Sequence, residues 1–331
     1  MDTTTPDPEA LETMLEERAL DEGSVPSAER REAVRAESVI ANKYWGEFQP
    51  RIVVTFLVFT AAWVAVVVAG VTGSIPLWLG FVLNSMFATT FYMPMHEAVH
   101  RNIWGKQSRL RRLEDVIGIV CSIPTGINYA SHQTGHMRHH AFTNDPERDP
   151  DHFTDGRLAE LPVKFLGMTL LFLLLPVFAL VKPARRVLPG KIRAVLSRQA
   201  ASRDEARPQI RFWLVTTVVL VGCFVTGHGV EAVMLWWLPS RVQLAWLLFI
   251  FAWYPHHPAG ETSRYRHTRV AVFTGSAMLI RGHDHHAIHH LYPRVPHYRL
   301  KALWRELSAD LVTRGVRAEG KAVGATGPIV W

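Results

Sequence analysis

The sequence predicts an all-α integral membrane protein with four transmembrane helices and a further re-entrant or interfacial helix. A cytoplasmic helical cap is expected to hold a histidine-rich metal site. Three observations carry this expectation. Apolar stretches, each about one bilayer thickness long as a helix, alternate with charged loops. Gly, Pro and Ser punctuate the breaks between them. At least ten of the 17 histidines fall into three short clusters, a concentration that packing does not produce and metal binding does.

Residues 1–45 are polar and rich in acidic side chains. They lack the basic start and short apolar core of a secretory signal, so a soluble N-terminal extension is expected. Residues 46–306 form the membrane and metal-binding domain, and 307–331 a C-terminal tail. Within the domain, 52–71 carries no charge and spans. Gly73-Ser74-Ile75-Pro76 turns the chain, and 76–95 spans back, delivering His96 to the side where the chain began. The moderately apolar patch 116–130 is interrupted by Pro124 and Gly126 and is expected to be interfacial or buried. Residues 161–181 are apolar again, and a basic loop from Lys182 to Arg211 follows. Two further spans occupy about 212–231 and 233–254, parted either at Gly227-His228-Gly229 or at Pro239-Ser240-Arg241.

If all clusters build one site, an even number of crossings separates residue 160 from residue 255. Three apolar stretches lie between them, so one does not cross. A basic loop belongs on the cytoplasmic side, which makes 161–181, with Pro176 inside it, the non-crossing stretch. Both termini and every cluster then face the cytoplasm, in a bacterial inner membrane. The net charge of +7 fits basic loops lying on anionic headgroups. Nucleic-acid binding is excluded, because no basic patch interleaves with stacking aromatics. Cys121 and Cys223 lie in apolar stretches and form neither a disulfide framework nor a zinc knuckle.

The first cluster, His96-Glu-Ala-Val-His100, puts two imidazoles one turn apart on one helix face. The second, His136-Met-Arg-His139-His140, and the third, His286-Ala-Ile-His289-His290, share i, i+3, i+4 spacing, so three rings converge in each. His256 or His257, just after the last span, adds another candidate. Eight or nine imidazoles exceed the four or so that one tetrahedral zinc takes. They suit two metals, and neutral imidazole selects iron, copper, zinc or nickel over magnesium or calcium. Iron is preferred, since a redox role accounts for so large a site. Among the nearby carboxylates Glu97, Asp145, Asp149, Asp151 and Asp284, the last three are the candidates for orienting ligand histidines. His132, His283 and His285 stand in reserve near the site; His152, His267 and His297 are surface or supporting groups.

These boxes, with the contexts DPERDPDHF at 145–153 and HHLYPRVPHY at 289–298, resemble the membrane fatty-acid desaturase and hydroxylase superfamily. Within it, the pattern is most similar to desaturase-like β-carotene hydroxylases. The resemblance runs from about residue 50 to about 306. It implies two non-haem iron ions, dioxygen as oxidant, and electrons from a ferredoxin-like or cytochrome-type donor. It carries the ligand role to His96, His100, His136, His139, His140, His286, His289 and His290, and fits His256 as a ninth. Glu97 departs from the aspartate of carotenoid hydroxylases, and Gly282-His283-Asp284-His285 departs from the uncharged residues usual before the third box. The implied reaction is O2-dependent hydroxylation or desaturation of a long apolar substrate. Carotenoid ring hydroxylation is the leading reading and acyl-lipid chemistry the alternative.

Two rivals come from other classes. His96-Glu97-Ala-Val-His100 matches the H-E-x-x-H of a zinc protease, with Glu97 as base. A protease has no use for two further boxes. A metal transporter or sensor would place its ligands near the midplane of spanning helices, whereas these histidines sit at helix ends.

Overall fold

A computed structural model describes residues 27–180 and 203–325, together with Met14 and residues 189, 190, 192 and 193. Most of the expected basic loop and the ends of the N-terminal extension and C-terminal tail lie outside the described residues. The chain is mostly helical. Helix α1 is Ser27–Ala41, α2 Pro50–Val71, α3 Leu77–Val99, α4 Arg111–Thr125 and α5 Tyr129–Ala141. Helix α6 is Leu161–Leu180 and α7 Arg203–Val225. Helix α8 runs from Gly229 to Trp253. The third histidine box forms the short helix α9, His286–Leu291, and α10 is Leu300–Thr313.

Among the described residues, three helices are long and apolar enough to cross a membrane: α2, α7 over Asp204–Val225, and α8. The expected second span, 76–95, forms most of α3 with Pro76 as its N-cap, but α3 is not in that set. Asn84, Ser85, Thr89 and Thr90 dilute its apolar character, and its second half is buried inside the protein. The stretch expected to be re-entrant is the continuous helix α6.

The break before the last span lies at Thr226–His228 and not at Pro239. Gly227, at φ +84°, takes the left-handed turn that ends α7. Helix α8 instead absorbs Pro239 by widening to π geometry over Val233–Trp237, where looser turns tolerate a missing N–H. The Asn84 side chain of α3 donates to the Leu235 carbonyl in that segment, at 2.7 Å. Gly70 of α2 and Gly80 of α3 allow the close approach: a Cβ at either would stand under 3 Å from the Leu235 side chain.

Helix α4 is the expected interfacial element. Leu113, Val116, Ile119 and Ile123 are exposed on one face, while Ile117, Cys121 and Thr125 are buried on the other. Lipid-like surroundings suit the first face, which the exposed Arg112 bounds at the start of the helix.

The cap departs from an all-α expectation. Strand β1, Arg269–Val272, pairs in parallel with β2, Arg317–Gly320. Four residues are too few for a sequence-level strand signal, and the pairing is long-range. The cap core gathers Ile288, Leu291, Leu303, Trp304 and Leu307 with Ala41 of α1. Glu37 of α1 accepts hydrogen bonds from Tyr292 Oη at 2.6 Å and Tyr265 Oη at 3.2 Å, and its carboxylate pairs with Arg314 at 2.9 Å. The N-terminal segment thus grips the end of the third-box helix. A second core is built from Phe91, Met95, Ile117, Tyr129 and Met137. Both cysteines are free.

Candidate metal centre

Each histidine is aimed by the local structure its sequence dictates. His96 lies in the last turn of α3 and His100 is the C-cap. Asn128 caps α5, its side chain accepting from Ser131 N at 3.0 Å, and α5 brings His136, His139 and His140 onto one side. Helix α9 does the same for His286, His289 and His290. His256 follows the end of α8 directly.

These nine residues sort into two groups. His96, His100, His136, His140 and His289 form one; His139, His256, His286 and His290 form the other. All nine are buried, none above 7% exposed. In the first group the Nε2 atoms follow one another from His96 to His289, His140, His136 and His100 at 3.1, 3.0, 3.1 and 2.9 Å. In the second, His286 Nε2 stands 3.1 Å from both His256 and His290 Nε2. The groups abut, with the His140 and His290 ring centres 4.3 Å apart. His257 stays out, stacked on Trp253.

The donor set fits metal ions. Nitrogens about 2.1 Å from one ion lie about 3.0 Å apart at right angles and about 3.4 Å apart at tetrahedral angles. The observed spacings match the first, the geometry of five- or six-coordinate sites. Burial pushes His136, His140, His256, His286, His289 and His290 far below the usual imidazole range, and repulsion among neighbouring rings adds to it. They are neutral, as ligands must be.

His139 differs. Burial pulls it down, but the charge and hydrogen bond of Asp149 outweigh burial and raise it to about 9. His139 Nδ1 donates to Asp149 Oδ1 at 2.9 Å, leaving Nε2 for a metal. Asp149 also accepts from Asn144 N and Asp151 N, both at 2.8 Å. Asp151 stands 3.8 Å from His139. Asp284 contacts neither group: it accepts from Ser276 Oγ at 2.6 Å and His285 Nδ1 at 2.8 Å. Asp145 pairs with Arg148.

One supporting residue escaped the sequence reading, and another was ranked too low. Thr143 donates to His139 O at 2.8 Å, so its oxygen is free to accept from His290 Nδ1 at 3.2 Å. Its place four residues after His139 was the available signal. Glu97, read as a weak candidate, accepts from His297 N at 3.0 Å, His297 Nδ1 at 2.9 Å and Asn102 Nδ2 at 2.9 Å. A carboxylate so engaged is not poised as a protease base. His132 stacks on His136, and His267 lies 5.2 Å from His290 between ring centres.

Comparison with known proteins gives consistent matches. The family model described as fatty acid desaturase matches residues 72–318. Fatty acid conjugase FAC2 B of Calendula officinalis is 24% identical over 276 residues, covering 69% of this chain and 72% of its own length. An omega-3 fatty acid desaturase, chloroplastic, of Brassica napus is 25% identical over 247 residues, covering 67% of this chain and 59% of its own length.

Proposed function

The chain belongs to the fatty acid desaturase family, and from that premise we propose that it is a membrane oxidoreductase that desaturates or hydroxylates a fatty-acyl chain using dioxygen. The carrying observation is the paired set of nine buried imidazoles, five and four, within the matched region. The relatives named above act on fatty acids by their names, which favours the acyl reading over the carotenoid ring that the box contexts suggested.

In this reading His96, His100, His136, His140 and His289 hold one iron, and His139, His256, His286 and His290 hold the other. Bound there, two irons supply the redox chemistry that side-chain acid–base groups lack: activation of dioxygen against an unactivated C–H bond. The chain's own residues do the rest. Burial keeps His136, His140, His256, His286, His289 and His290 neutral and excludes water from the reacting atoms. Asp149 fixes the His139 ring, and Thr143 that of His290. The outcome, alkene or alcohol, follows from where the protein stops the chain relative to the metals.

A cavity of about 1090 Å³ gives the substrate a place. It lies among α2, α4, α5, α7 and α8, walled by Trp63, Ile119, Val215, Val219 and Leu235. Tyr129 and Gln133 of α5 also line it, and Gln133 is one turn before His136. An apolar groove reaching towards the ligand helix suits a long hydrocarbon drawn from the bilayer.

We assign the membrane crossings to α2, α3, α7 and α8, with α6 held at one face, so that both histidine groups share the cytoplasmic side with a ferredoxin-like or cytochrome-type electron donor. The test is product analysis in a host that supplies a donor, against a His139→Ala control. New acyl double bonds or hydroxyls that vanish in the control support the reading. Unchanged fatty acids with newly hydroxylated β-carotene in a carotene-producing strain restore the carotenoid reading. No change in either, with a single zinc in the purified protein, overturns the oxidoreductase.

A further inference from the structure

We propose that the loop from Phe273 to Leu279 is a membrane anchor of the cap, its apolar tip entering the lipid beside α8. The proposal rests on the assignment of α3 and α8 as crossings and extends the membrane contact to the cap. The loop follows β1 and turns Phe273, Met278 and Leu279 outward, at 40%, 74% and 47% exposed. Ala277 beside them is exposed too. Large apolar side chains gathered at one protruding turn mark a contact surface.

Position names the occupant. The Leu279 carbonyl accepts from Trp246 Nε1 at 3.2 Å. Trp246 precedes Trp253, the end of α8, by about 10 Å along the helix. With 25 residues α8 is about 37 Å long, several ångströms more than a hydrocarbon core of about 30 Å. The loop therefore stands against the flank of α8 at the edge of the hydrocarbon, not above the helix end. On its other side the Arg281 guanidinium donates to Thr89 Oγ1 of α3 at 2.8 Å. Between these contacts Ile280 is buried with Tyr92 and Met93 of α3 and with Ile250 and Phe251 of α8. The loop is thus seated on both crossing helices. Its tip continues the outer face of α8, where Val242 and Phe249 are also exposed.

The backbone suits lipid better than water. Ser276 N donates to Phe273 O, Met278 N and Leu279 N to Gly275 O, Ile280 N to Ser276 O, and Gly282 N to Ala277 O, all at 2.7–3.1 Å. Lipid offers no hydrogen bonds, so a segment entering it must satisfy its N–H groups internally. Gly275, at φ +88°, permits the tight turn that does this. Cations flank the tip: exposed Lys321 donates to Thr274 Oγ1 at 3.0 Å, and Arg281 lies on the far side. Long basic side chains reach the headgroups while apolar neighbours enter below them. The Trp246 indole supplies the aromatic usual at that boundary. The loop runs directly into the third histidine box, so its hold on the bilayer fixes the height of that box above the membrane.

The test uses the full chain in phosphatidylcholine–phosphatidylglycerol vesicles, in a Cys223→Ser background. Cys121 is 0% exposed and stays unlabelled. Met278→Cys in the loop, Val242→Cys in α8 and Asp310→Cys in α10 each carry one fluorophore. Quenching by lipids brominated on the acyl chain is compared with quenching by aqueous iodide. The label at 278 is expected to behave like that at 242, quenched by bromolipid and lost to iodide, while the label at 310 does the reverse. If Met278→Cys does not fold, Leu279→Cys gives the same reading. A label at 278 as open to iodide as that at 310 overturns the proposal. A label shielded from both quenchers also overturns it, because a protein then covers the loop. A label at 242 open to iodide is a different failure, that of the crossing assignment, and the anchor falls with it. Neither quencher depends on metal or turnover, so the outcome is independent of the di-iron reading.

Discussion

Asp149→Asn isolates the link between a carboxylate and a metal ligand. In the parent, one buried carboxylate takes three N–H donors: His139 Nδ1 and Asp151 N on Oδ1, and Asn144 N on Oδ2. Asparagine keeps one carbonyl oxygen and turns the other position into a donor facing a donor. At least one hydrogen bond is lost and the charge disappears. Hydrogen bonds to charged groups contribute about 1.5–3 kcal/mol each, so stability falls by about 2–4 kcal/mol. His139 also loses the group that fixes its tautomer, and iron affinity falls about 10–100-fold, or about 1.4–2.7 kcal/mol. Two assays separate these effects: thermal melting of the metal-free protein, and chelator competition for iron at neutral pH. A variant that melts early yet binds iron as tightly as the parent refutes the argument, because Asp149 is then a loop brace and His139 does not depend on it.

Metal-free protein has a stability maximum just above the ordinary imidazole pKa of about 6.5. His136, His140, His256, His286, His289 and His290 are held below that value, so their unfolded forms bind protons that the folded forms refuse, and stability falls as pH drops through it. His139 runs the other way: its contribution is complete below the unfolded value and is lost as pH rises towards about 9. Melting curves across this range should show the steeper loss on the acid side; a steady rise through pH 9 contradicts it. Gly118→Ala places a Cβ 2.3 Å from the Tyr129 ring, which opens the helix carrying His136. The rigid ring cannot yield, and the expected cost is about 1–3 kcal/mol by melting temperature. Glu37→Gln weakens the grip on Tyr292, Tyr265 and Arg314. The cap loses about 1–3 kcal/mol, and amide exchange quickens first over residues 286–292.

Much of the site was legible because imidazole spacing on a helix is a local property. H-x-x-x-H and H-x-x-H-H converge on one face in any α-helix, so all eight box histidines and the pairing of three boxes into one centre could be read directly. The apolar runs behind α2, α7 and α8 were equally plain, since hydropathy is summed over neighbours in the chain. Where sequence alone left a choice, packing made it. His256 enters the four-histidine group and His257 turns to Trp253; the break before α8 falls at Gly227 because Pro239 fits a widened π turn stabilised by Asn84. The division of nine imidazoles into five and four, with His139 and His140 adjacent in sequence yet in different groups, depends on three helices meeting at a fixed angle. So do the β1–β2 pairing and the hold of Glu37 on Tyr292. Each joins residues far apart in the chain. Local spacing determined which side chains could bind metal, and tertiary packing decided which of them stand close enough to share an ion, because only folding sets distances between distant helices.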